Sequence, residues 1–186
     1  MTGRTVGTMR WRALDREGRD RCRLVQNDAG WMLVGHARFR EREGASSIDY
    51  VIRCDPDWQT LVADLSGSWR DTPLALHVAR EGTSWRVNDR LQPEAEGATD
   101  IDLGFSPATN LMPIRRLPEI GGIDACAAWL RDPGAGLSRL DQRYTRGRGN
   151  VVHYRAEQTG YETDLKVAET GFVALYPGLW EAERAL

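Results

Sequence analysis

Carboxylates, guanidinium groups and hydroxyls crowd into one short stretch, "DIDLGFSPATNLMPIRRLP", Asp100 to Pro118. Side chains alternate along a strand, so Asp100 and Asp102 fall on one face, about 7 Å apart. Two carboxylates at that distance can act as acid and base or hold a cation. The simpler reading makes them the solvent face of a strand whose other face is Ile101, Leu103 and Phe105. Arg115 and Arg116 follow closely, and a guanidinium folded back on a carboxylate forms a bidentate pair. Adjacent residues cannot point the same way. One arginine is therefore expected to pin the segment through Asp100 or Asp102. The other is expected at a concavity or its rim, open to an anionic head group. Gln142, Tyr144 and Arg146 in "LDQRYTR" share a second face, on which an amide and a phenol could bind a polar group. The competing reading of that stretch is an exposed hairpin with aromatic cross-strand pairs.

Other chemistries find little footing. His36, His77 and His153 are far apart, each in a predicted strand, with no HxxxH or HExxH spacing, so they read as structural or surface residues and no metal site is expected. Ser106 lies outside any GxSxG and is followed by Pro107, which suits a helix cap better than a nucleophile. "DPGAG" and "GGIDAC" are turns without the Gly-Lys-Ser/Thr of a phosphate loop. No cofactor motif is present.

The elements that must carry these groups have a period of two. "WMLVGHARF" sets Trp31, Leu33, Gly35, Ala37 and Phe39 on one face, and "IDYVIRC" sets Ile48, Tyr50 and Ile52 together. "LALHVAR" and "SWRVNDRL", joined across "EGT", read as a hairpin. The pattern continues through "DACAAWL", "VVHYRAE", "YETDLKVAE" and "GFVALY", for eleven or twelve strands in all. Ser106 and Pro107 predict a helical turn that Pro113 ends, with a second turn in "IRRL". "GLWEAERAL" predicts a last helical turn. A sheet of this size must curl, and with few helices to cover it an open barrel results. Seven tryptophans supply bulk for its concave side or a platform for an amphipathic ligand.

The 186 residues suit one domain, and no linker divides them. A net charge of −2 predicts no basic field for nucleic acid or an anionic membrane. Basic residues are arginine except Lys166. Cys22, Cys54 and Cys126 form no CxxC and read as reduced, buried thiols, and no stretch has the length of a signal peptide or membrane span. These features point to a cytoplasmic protein.

The Asp100–Pro118 stretch, followed by "QRYTR" and "VALYPGLW", resembles a family of bacterial proteins known as glycolipid-binding. The shared pattern is an acidic strand, Ser/Thr-Pro, Thr-Asn, Pro-Ile-Arg-Arg, a later Gln-x-Tyr and Tyr-Pro-Gly-Leu, with Trp58 ahead. The chain departs from it at Ala108, where the pattern has an aromatic residue, and at Met112. The resemblance implies a fold similar to the lipoprotein-localization factors: a mainly β domain over residues 1–186, a curved antiparallel sheet forming an open half-barrel under a short helical or irregular lid. Its matching positions are Asp102, Thr109, Asn110, Pro113, Arg115, Arg116, Gln142 and Tyr144. The reading that follows is a monomeric or weakly dimeric protein that binds an amphipathic small molecule, a lipid or glycolipid. Its concave tryptophans would hold the apolar part, and Arg115 or Arg116 with Gln142 and Tyr144 the head. The alternatives are a closed structural or partner-binding β-domain, and an enzyme using Asp100 and Asp102.

Overall fold

A computed structural model describes residues 3–183. Among them fifteen strands form one sheet, more than the eleven or twelve read from alternation. The first eight make an antiparallel meander: β1 (Arg4–Ala13), β2 (Glu17–Asn27), β3 (Gly30–Glu41), β4 (Gly44–Cys54), β5 (Thr60–Trp69), β6 (Thr72–Glu81), β7 (Ser84–Val87) and β8 (Arg90–Leu91). The chain then jumps to β9 (Asp100–Leu103), passes through a 3-10 turn (Pro107–Asn110) and α1 (Leu111–Arg116), and enters a second meander. That meander comprises β10 (Gly122–Leu130), β11 (Ser138–Arg146), β12 (Val151–Ala156), β13 (Tyr161–Val167), β14 (Val173–Tyr176) and β15 (Trp180–Ala182). The two meanders join where β1 pairs antiparallel with β15, and β9 runs parallel to β10 at the far edge.

The ladder does not close, but its β9 edge approaches the start of β5. Thr60 N–H donates to the Thr99 carbonyl (3.0 Å), and Ile101 N–H donates to Thr60 Oγ1 (3.0 Å). The open half-barrel is thus the observed architecture.

The predicted inward faces hold. Leu33, Ala37 and Phe39 of β3 are buried with Ile48, Tyr50 and Ile52 of β4. Gly35, on that same face, makes room for its neighbour: a Cβ there would lie 2.1 Å from Tyr50 Cζ. Gly35→Ala is expected to cost about 1–3 kcal/mol through overpacking, read as a lower urea midpoint. An unchanged midpoint would mean that the Tyr50 ring is free to move aside. On the outer face every histidine sits opposite an aspartate: His36 Nδ1 is 2.7 Å from Asp49 Oδ1, His77 Nδ1 is 2.7 Å from Asp64 Oδ1, and His153 contacts Asp164. These are surface roles, as predicted.

Two local expectations fail. Pro113 does not end a turn; it lies inside α1 with Met112 also helical. Pro113 is the third residue of α1, in its first turn, where an N–H has no acceptor within that α-helix to lose. "GLWEAERAL" is not helical where it is described: Trp180–Ala182 is β15, with the ladder to β1 overriding a helix-favouring composition. Residues 184–186 of that stretch lie outside the described residues.

Candidate functional site

The concave face is occupied by the chain itself. Phe105, Ala108, Leu111, Met112, Ile114 and Leu117 are buried and share one core with Leu33, Ile48 and Leu65 of the first meander and Leu165 and Phe172 of the second. Trp11 and Trp85 are fully buried fillers whose indole N–H groups reach the Val173 carbonyl (2.6 Å) and the Ala98 carbonyl (3.0 Å). They offer no platform to a ligand.

Three aspartates, Asp20 and Asp100 buried and Asp102 half-buried, hold this plug. Asp20 accepts from Tyr50 OH (3.0 Å) and from Ser106 Oγ, and Ser106 in turn caps the 3-10 turn by accepting from Ala108 N–H (3.1 Å). Asp100 takes both arms of Arg116, Nη1 to Oδ1 at 2.8 Å and Nη2 to Oδ2 at 2.5 Å. Arg116 Nη1 also donates to the Trp58 carbonyl (2.9 Å). Asp102 Oδ2 accepts from Gln142 Nε2 (2.7 Å), which also reaches Tyr154 OH (3.0 Å). Asn110 Nδ2 donates to Tyr144 OH (2.9 Å), which donates to Gln142 Oε1 (3.3 Å). Thr109 Oγ1 accepts from Leu103 N–H (3.3 Å).

Asp100 and Asp102 therefore do not form a solvent face. The strand β9 closes the sheet edge with Asp100 turned under the plug, where Arg116 compensates its charge. The division of labour between the arginines is as expected in part. Arg116 is the pin. Arg115 is exposed at a rim, where it donates to the Thr170 carbonyl and lies 5.3 Å from the Trp58 ring centroid. Trp58 stacks on Trp31 at 4.1 Å.

A pocket of about 200 Å³ remains between the plug and the second meander. Asp102, Asn110, Trp129, Tyr154, Tyr161 and Tyr176 are among its walls, with Trp180 beside them. Of the seven residues proposed from sequence, Asp102 and Asn110 line it. Gln142, Tyr144 and Thr109 stand behind them as buried support, and the two arginines lie elsewhere. Four tyrosines meet here, with ring centroids of Tyr154 at 4.9 Å from Tyr144 and 5.8 Å from Tyr176. Burial pushes the phenols of Tyr144, Tyr154 and Tyr176 up, so all three are neutral donors. Burial also raises Asp102 to about 6, against the opposing effect of Gln142. No cation pairs with it among the described residues. The pocket thus presents a carboxyl acceptor, phenolic hydroxyls and flat apolar rings. Among the described residues no cluster of three or more metal-ligating side chains occurs.

Alternation in "GRDRCRL" carried an unused signal for Asp20: it shares a face with Cys22 and Leu24, opposite Arg19, Arg21 and Arg23. Tyr161, Tyr176 and Trp129 gave none, because they come together only through the curl of the sheet.

A family model described as "Putative glycolipid-binding" matches residues 8–182. A solved structure described as a DUF1089 family protein from Pseudomonas aeruginosa is similar, with a TM-score of 0.74 and 27% identity over 87% of this chain and 91% of that one. No curated protein matches.

Proposed function

The chain belongs to the family described as glycolipid-binding, and from that premise we propose that it binds an amphipathic molecule through an uncharged, hydroxyl-bearing group seated in the Asp102 pocket. One observation carries this reading. Asp102 is a cation-free carboxyl held against tyrosines at a cavity wall, in a surrounding that raises it to about 6. Charged, such a group costs the fold stability despite its bond to Gln142, and positions that cost stability are where function is expected. A ligand hydroxyl donating to Asp102, with a ring face on Trp129 or a tyrosine, would satisfy it. The volume suits one ring-sized group, since a cavity of about 150 Å³ takes benzene. An extended acyl chain would lie outside it. The arginines are not at this pocket, so the anionic head group expected from sequence is replaced here by a neutral one. The acid–base reading with two carboxylates loses a member, because Asp100 is tied to Arg116. The protein is taken as a monomer or weak dimer.

Tryptophan fluorescence tests the reading, because Trp129 and Trp180 line the pocket. Octyl glucoside below its micelle concentration is expected to change the signal saturably, and a fatty acid carboxylate to do so more weakly. Asp102→Asn should weaken the glucoside response on the order of tenfold at pH 8, the scale of one hydrogen bond to a charged group. No saturable response to either amphiphile, or equal responses from Asp102→Asn and the parent, would overturn it. No helix among the described residues is long and apolar enough to cross a membrane.

A further inference from the structure

The outward face of β1–β3 carries a two-dimensional array of arginines. The alternation that turns Trp11, Asp20, Cys22, Leu24 and Ala37 inward turns Arg10 and Arg12, Arg19, Arg21 and Arg23, and His36 and Arg38 outward. Register then sets like charges opposite one another. Arg21 lies opposite Arg10, with His36 on its other side, and Arg19 lies between Arg12 and Arg38. Like charges directly across a ladder destabilise it. Neutralisation is partial: Arg12 meets Glu181 at 2.6 Å, Arg19 meets Glu183 at 3.2 Å, and His36 meets Asp49 at 2.7 Å. Among the described residues Arg10, Arg21, Arg23 and Arg38 have no carboxylate partner. Two adjoining depressions of about 330 and 440 Å³ lie between these side chains, both bordered by Arg10, Arg21 and His36. The net charge of −2 conceals this local concentration, which sequence-level charge counting did not foresee.

We propose that this face docks on an anionic lipid surface. The array is three strands wide, about 10 Å, and Arg19 to Arg23 spans about 14 Å. That area meets several phosphates at once, and unpaired guanidinium groups bind phosphate in bidentate fashion. Nucleic acid fits less well. The face has no Trp, Tyr or Phe on which single-stranded bases would stack, and it is flat sheet with no helix to enter a major groove. The surface lies on the side of the sheet opposite the Asp102 pocket, so the inference stands or falls independently of what that pocket takes.

Cosedimentation with vesicles tests it. The full chain is expected to bind vesicles of phosphatidylcholine mixed with phosphatidylglycerol, to release as salt rises, and to ignore phosphatidylcholine alone. Each surface cation contributes about fivefold in affinity, so the triple variant Arg10→Gln, Arg21→Gln, Arg23→Gln should lose about a hundredfold. Its melting temperature should be unchanged or higher, since like-charge neighbours have been removed. Arg143→Gln, on the outward face of β11, should bind as the parent does. Equal binding to both vesicle types, no binding to either, an unaffected triple variant, equal losses in Arg143→Gln, or tighter binding to a DNA duplex than to the mixed vesicles would each overturn the proposal.

Discussion

Arg116→Ala is expected to lower unfolding free energy by about 3–5 kcal/mol, the cost of leaving a buried charge without its partner. Asp100 is 2% exposed, and its carboxylate would retain only the Thr99 hydroxyl at 3.2 Å. The Trp58 carbonyl would also lose its donor. That loss matters locally, because Trp58 holds a left-handed backbone (φ 66°) that a bulky residue adopts only when its surroundings enforce it. The neighbouring substitution makes the comparison. Arg115→Ala removes an exposed hydrogen bond and a cation–π contact, together about 1 kcal/mol. Urea melts of the two variants should therefore differ several-fold in their loss. Arg116→Lys should fall between them, since it keeps the charge but not the fork. Equal losses for the two alanine variants would show that the bidentate pair does not pin the plug.

Stability should also fall as pH rises from about 4 to about 7. Burial raises Asp20 and Asp102 from an ordinary 3.8 to about 6. Between those values the folded protein holds protons that the unfolded chain has released, so the slope of unfolding free energy against pH is negative. The stabilisation is complete below about pH 4 and is lost as pH climbs through 6. Each carboxyl displaced this far costs about 3 kcal/mol at neutral pH. Half-buried carboxylates with surface partners act in the opposite sense: Asp64 is held low chiefly by its bond to His77, and Asp141 by Arg139. The difference between a variant and its parent removes that background. Asp102→Asn should be more stable than the parent at pH 8 by up to about 3 kcal/mol, with the gap closing toward pH 4. The amide retains an acceptor for Gln142. A gap that stays constant with pH would mean that Asp102 titrates normally in the folded protein.

Much of the sheet was legible because its inward faces repeat every second residue without interruption. Leu33 to Phe39 and Ile48 to Ile52 are buried as read. β15 was misread because its stability comes from β1, some 170 residues away along the chain, and no local window contains that partner. The pairing of one arginine with Asp100 was legible from charge and spacing. Which arginine was not, since the choice depends on how α1 rolls against β9. The pocket was least legible. Asp102 lies on β9, Trp129 on β10, Tyr154 on β12, Tyr161 on β13 and Tyr176 on β14, so five strands must be placed before their side chains meet. The surface arginines show the converse: each was visible, but only register reveals that Arg10, Arg21 and His36 form one row.

The parallel pairing of β9 with β10 carries a topological obligation. Leu103 lies beside Leu130, at the end of β10, whereas the chain must re-enter that strand at Gly122. It has to travel back about 27 Å along the strand direction. The residues that make this return are those of the plug, Gly104 to Gly121, and the concave side is where they run. About eight extended residues would span that distance, so the plug segment holds roughly twice the chain that the return needs. The surplus is what fills the concavity, with Phe105, Leu111, Met112 and Ile114 buried there, so the length of the return and not its existence sets how far the half-barrel is closed. The space open to variation is the pocket beside the return path, where a change of one side chain alters the cavity and leaves the connection intact.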